Sequence, residues 1–135
     1  YFTHGLALFS VTDWRLYDSH YVERYMDSPA ENPEGYKNGS VLTYAPKYKG
    51  MLRIVHGTMD DNVHMQNSIQ LIDTLETMNK HLEFLLYPGG RHGWGGPKAV
   101  HLQSETYRFY YTYLLGKEFP EKQFAELREM PRRRR

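Results

Sequence analysis

The chain has 135 residues, a net charge of +1 and no cysteine. That length suits one domain with a real core; the near-neutral charge gives no reason to expect nucleic acid as a partner, and the lack of cysteine excludes disulfides and thiol chemistry, which fits a reducing compartment or a bacterial export route. No apolar run is long enough to span a membrane, and four of the positive charges stand together at Arg132 to Arg135.

The opening Tyr1-Phe2-Thr3-His4-Gly5 has no helix start, linker or targeting character, so the chain is expected to begin inside a domain. Leu6 to Val11 reads as a buried parallel strand. Asp18 or Ser19 caps a predicted helix that runs through Tyr25. Spacing alone assigns Trp14, Tyr17 and Tyr21 to a core. Ser28 to Tyr48 is rich in Pro, Glu, Asn, Gly and Lys; it reads as an exposed connection with one helical turn over Ser40 to Tyr44. Met51 to Val55 is a second buried strand. Gln66 to Lys80 is a helix, with Ile69, Ile72, Leu75 and Met78 at helical spacing. Leu82 to Tyr87 is a third strand. Lys98 to Leu115 is a long helix with Val100, Tyr107, Tyr110, Tyr111 and Leu114 on its apolar face and Gly116 at its C-cap. Glu118 to Met130 reads as a polar tail with room for another helical turn.

Between these elements lie two loops with chemistry. His56 to His64, HGTMDDNVH, joins the second strand to the helix after it. Pro88 to Gly93, PGGRHG, follows the third strand, and its glycines permit an unusual backbone path around His92. Both loops leave consecutive strands on one edge of the sheet, where open α/β sheets collect ligands and reacting groups. An acid on one loop can then orient an imidazole on the other. Spacing does not choose between Asp60 and Asp61, and Asn62 suits a helix cap. His56, Asp60, His64 and His92 are of types that bind zinc, but no tight ligand spacing such as HExxH occurs, and no metal is expected.

In this order, the HGTMDDNVH loop, the strand ending YPGGRHG and the upstream phrase YDSHYVERYM resemble the end of the catalytic domain of the prolyl oligopeptidase family of serine peptidases. The resemblance runs from about the first residue to Leu115 and is nearest to the dipeptidyl peptidase IV branch. It implies an α/β fold: residues 1–116 would be the C-terminal portion of an α/β-hydrolase domain, a mostly parallel sheet flanked by helices, and 117–135 a tail with a basic end at 132–135. It implies that Asp60, the first acid of the pair, is the triad acid and His92 the general base. Val11, Trp14, Tyr17, Tyr21 and Val63 match positions that wall a pocket for a proline side chain. Asn62 matches an amide that binds a substrate carbonyl. His56 matches a position with no chemical role, and none is assigned to His64. No cofactor is implied. Trp94-Gly95-Gly96-Pro97 departs from the branch.

A serine peptidase needs a nucleophile on a GxSxG turn, and none of Ser10, Ser19, Ser28, Ser40, Ser68 and Ser104 has that setting. The resemblance puts the nucleophile and the oxyanion donors upstream of Tyr1, so the chain is expected not to hydrolyse peptides alone. The implied partners are peptides with proline near the amino terminus, the rest of the catalytic domain, an upstream propeller and a second copy in a homodimer; the implied location is periplasmic or exported. Release of dipeptides or of tripeptides is left open. Two other readings stand beside this one: an esterase or acylaminoacyl peptidase of the same fold, and a non-catalytic dimerisation or interaction module built on Lys98 to Leu115.

Overall fold

The computed structural model describes residues 2–129, and of residues 126–129 the backbone alone; the basic end at 132–135 lies outside the described residues. The chain divides into two compact units, Tyr1–Trp94 and Gly95–Arg135.

The first unit is built on three parallel strands in the order β1 (His4–Leu8), β2 (Met51–Gly57) and β3 (Glu83–Tyr87). The central strand is buried at every residue but Leu52, while the outer two are half-buried along most of their length. This is why Met51 to Val55 is a continuous run rather than an alternation: a parallel strand with neighbours on both sides is covered on both faces. Arg53 and Glu83 face each other across the β2–β3 register and form an ion pair. The first strand begins and ends earlier than its apolar run suggests. At Phe9 the backbone enters the left-handed region (φ 50°), its N–H still donates to the Val55 carbonyl at 3.0 Å, and the chain then leaves the sheet.

Helix α1 (Ser19–Met26) is capped by Asp18, whose carboxylate accepts the His20 N–H at 2.9 Å. The following segment is not the exposed connection its composition suggests. It forms α2 (Pro33–Gly39), with Pro33 in the first turn and Asn32 capping Gly35 at 3.0 Å, the pattern expected of a proline whose missing N–H costs nothing there. Tyr36 is buried, its hydroxyl donating to the Asp27 carbonyl, and Asn32 donates to the Met26 carbonyl, so α2 is tied back to α1. A 3-10 stretch over Val41–Lys47 follows.

Helix α3 (Gln66–Thr77) covers the sheet with Leu71 and Leu75, which join Ile54 and Ala45 in one apolar cluster. Ile72 packs against it, but Ile69 and Met78 are exposed; the face turned inward contains Asn67, Ser68, Leu71 and Leu75 instead. Asn67 and Ser68 are polar, so the hydrophobic spacing pointed one position aside.

In the second unit, α4 (Gly96–Tyr113) buries Phe109 and Ser104, while Val100, Tyr110 and Leu114 are exposed. The stretch after it is not a polar tail. It forms α5 (Glu121–Glu129), and the Phe119 and Phe124 rings stand 4.7 Å apart, with Phe124 4.7 Å from Tyr107 and Phe119 5.7 Å from Tyr111.

Candidate active site

The site grows from the ends of β2 and β3. Beyond the last strand residues the two chains stay zipped: the Thr58 N–H donates to the Tyr87 carbonyl at 3.1 Å and the Met59 N–H to the Gly90 carbonyl at 2.8 Å. Such contact demands a bare backbone at the strand end. A Cβ on Gly57 would lie 2.3 Å from the Gly90 oxygen and 2.8 Å from that of Arg91. The acid loop and the histidine loop are thereby held together before any side chain meets another.

Asp60 is buried, and its carboxylate accepts two backbone N–H groups and stands against two imidazole nitrogens. Oδ1 accepts the backbone N–H of Asn62 at 3.0 Å and of Val63 at 2.9 Å. Oδ2 lies 3.0 Å from His92 Nδ1 and 3.3 Å from His56 Nε2. Its neighbour Asp61 points elsewhere and forms an exposed ion pair with Arg91 at 3.0 Å. The His92 ring is 39% exposed, so one imidazole edge is held by a buried carboxylate while the ring stays open to solvent. That is the arrangement in which a carboxylate sets the tautomer and orientation of an imidazole base. Beneath it lies Phe9, its ring centroid 5.4 Å from His92 and 5.0 Å from Trp94, and Trp94 stacks on Tyr87 at 4.3 Å. Sequence reading missed Phe9, because it stands in an apolar run that reads as strand throughout; only its left-handed turn brings the ring under the histidine.

The aromatic residues form a ladder on the next loop. Trp14 and Tyr17 meet edge-on at 6.2 Å, Tyr17 and Tyr21 at 5.9 Å, and Tyr21 continues to Tyr25 at 5.1 Å. The Tyr17 hydroxyl donates to Asn62 Oδ1 at 2.8 Å. Asn62 is exposed and keeps its NH2 group as a donor. The cavity beside the ladder, about 170 Å3, is lined by Trp14, Tyr21, Val22, Tyr25 and Met26. Val11, Tyr17 and Val63 do not line it: Val11 is half-buried, Tyr17 reaches Asn62, and Val63 is buried beside Asp60. His64 stands apart, its Nδ1 accepting the Gln66 N–H at 3.3 Å.

Two buried polar residues fix the ladder's loop. Asn67 Oδ1 accepts the N–H groups of Thr12 at 3.0 Å and Asp13 at 3.3 Å, docking the loop on α3. Asp13 caps the 3-10 turn at Trp14–Leu16 and binds Arg15 through both carboxylate oxygens at 2.9 Å, with the Ser40 hydroxyl donating at 3.0 Å. Burial works to raise the Asp13 pKa. The hydrogen bonds from Arg15 and Ser40 and the Arg15 charge outweigh it, and the carboxyl is held below its ordinary value.

Comparison with known proteins bears on this geometry. The solved structure of Porphyromonas gingivalis dipeptidyl peptidase 4 matches with a TM-score of 0.81 and 39% identity, over 83% of this chain and 16% of that one. The fold is accordingly that of an α/β-hydrolase domain. A protein named as a dipeptidyl aminopeptidase in Schizosaccharomyces pombe is 48% identical over 94 residues, covering 67% of this chain and 12% of that protein. One named as dipeptidyl-aminopeptidase B in Aspergillus terreus is 44% identical over 93 residues, covering 67% and 10%. The chain thus spans about a tenth of the length of these curated relatives. The sequence model of the prolyl oligopeptidase family matches residues 1–117, and the chain belongs to that family.

Proposed function

We propose that this chain supplies the acid, the base and much of the substrate pocket of a serine exopeptidase that releases short peptides after proline. The observation that carries the reading is the 3.0 Å contact between buried Asp60 Oδ2 and His92 Nδ1 on adjoining strand ends. In this reading a serine outside the chain attacks the scissile carbonyl. His92 takes its proton through Nε2 and then returns it to the leaving amine, while Asp60 stabilises the imidazolium. The Asn62 amide donates to a substrate carbonyl, and the rings of Trp14, Tyr17 and Tyr21 hold a pyrrolidine ring, which is compact and apolar. In this reading Val11 borders the same pocket, and Val63, buried beside Asp60, backs it without touching substrate. The remainder of the catalytic domain, an upstream propeller, a homodimer and an exported location belong to the same proposal; among the described residues no helix is long and apolar enough to cross a membrane.

The test is hydrolysis by the full-length protein that contains this chain. A Gly-Pro or a Gly-Pro-Pro chromogenic amide should be cleaved, according to whether dipeptides or tripeptides are released, Gly-Gly analogues poorly, and a serine-directed phosphonate should abolish the activity. Cleavage of simple esters or N-acylated amino-acid amides with no response to proline would replace this reading with the esterase or acylaminoacyl peptidase one.

A further inference from the structure

His56 is a fully buried imidazole on β2, at the floor of the site, and both its ring nitrogens are engaged. Nε2 lies 2.8 Å from the Val63 carbonyl. A carbonyl can only accept, so Nε2 bears a hydrogen. In the neutral ring that hydrogen leaves Nδ1 unprotonated, and the Ser68 hydroxyl 2.7 Å away on α3 donates to it. The same Nε2 stands 3.3 Å from Asp60 Oδ2, the oxygen that receives His92. Val63, whose carbonyl His56 holds, gives its own N–H to Asp60 Oδ1 at 2.9 Å.

We propose that His56 is a positioning residue for the triad acid. It fixes the Asp60 carboxylate by pinning Val63, whose N–H binds Oδ1, and by setting its own ring edge 3.3 Å from Oδ2, while Ser68 anchors the far side of the ring. The inference rests on the reading of Asp60 and His92 as acid and base. An apolar side chain would fill the same space without two hydrogen-bond obligations, and a buried polar group is kept without cost only when all its partners are present. Here the partners present are the loop that binds the acid and the helix behind that loop. Loss of the imidazole would leave the Val63 carbonyl without its donor and the loop free to turn Oδ2 away from His92.

The experiment compares His56→Leu, His56→Gln, Ser68→Ala and Asp60→Asn in the full-length protein on a Gly-Pro amide. The Gln amide nitrogen can reach the place of Nε2. His56→Leu should lower kcat between roughly tenfold and a hundredfold, the scale on which a buried carbonyl loses its donor, with KM within about twofold. His56→Gln should recover most of that loss, and Ser68→Ala should lower kcat several-fold. A role in packing alone would not distinguish Gln from Leu. The inference is overturned if a folded His56→Leu keeps kcat within about threefold of the parent, or if folded His56→Gln is no better than His56→Leu. Should His56→Leu not fold, Ser68→Ala decides: an unchanged kcat rejects the inference. Full activity in Asp60→Asn would remove the acid assignment and the inference with it. Activity lost in Asp60→Asn but kept in His56→Leu would reject the inference alone.

Discussion

At the scale of single residues, the two adjacent acids divide by partners rather than by sequence. Asp60 is buried and accepts two backbone N–H groups, while Asp61 reaches Arg91 at the surface. An exposed pair of that kind contributes about 0–1 kcal/mol, so Asp61→Asn should leave kcat/KM of the full-length protein within about twofold. Tyr17 sets the amide of Asn62; Tyr17→Phe should raise KM for proline substrates several-fold with a smaller effect on kcat, and an unchanged KM would release Asn62 from carbonyl binding. Asp13 makes a prediction in pH. Its folded pKa lies below the ordinary 3.8, so its contribution to stability is fully present above that value and is lost as pH falls through the lower, folded one. Asp13→Asn should therefore cost about 1–3 kcal/mol near neutral pH, and thermal unfolding of variant and parent should converge in strong acid. A constant gap down to pH 2 would contradict the assignment. That an acid of the His56–His64 loop would stand near His92 was legible because both loops follow recognisable apolar runs, while the choice of Asp60 over Asp61 came only from the family resemblance. The part played by His56 was not legible: its partners, the Val63 carbonyl and the Ser68 hydroxyl, are supplied by the way a loop folds over a helix, and periodicity does not report that.

Among the elements, β2, α3 and β3 were readable because their signals are local: an apolar run, a helical repeat, a glycine-rich loop. Helix α2 was not, since it buries a single aromatic, Tyr36, inside a stretch of turn-forming composition. Helix α5 was read as no more than a turn in a polar tail, because Phe119 and Phe124 find Tyr107 and Tyr111 on α4 through contacts that periodicity does not report. The junction of β2 and β3 gives the element-scale prediction. A methyl group on Gly57 would meet two backbone carbonyls that no side-chain rotation can move aside. Gly57→Ala should cost about 1–3 kcal/mol as an overpacked site does, and activity should fall further than stability because the acid and histidine loops are pushed apart. Crystallography of the variant would measure the Asp60–His92 separation; an unchanged distance with unchanged activity would show that the zipped backbone does not hold the pair.

For the whole molecule, the sheet sets the behaviour. Among the described residues β1 is paired on one side only, to β2, and an open parallel edge is a template for further pairing. The 135-residue chain studied alone should therefore associate in sedimentation, with weak amide-exchange protection in His4 to Leu8; a compact monomer with strong protection there would contradict this. The central claim is the proposed one, that Asp60 and His92 act as one acid–base unit. The most direct measurement is kcat for a Gly-Pro amide in full-length Asp60→Asn, with folding verified by circular dichroism and melting. The account predicts a loss of roughly 10³–10⁴-fold, the scale on which an imidazole loses its orienting carboxylate. A folded variant within about tenfold of the parent would show that Asp60 does not serve His92 in the reaction.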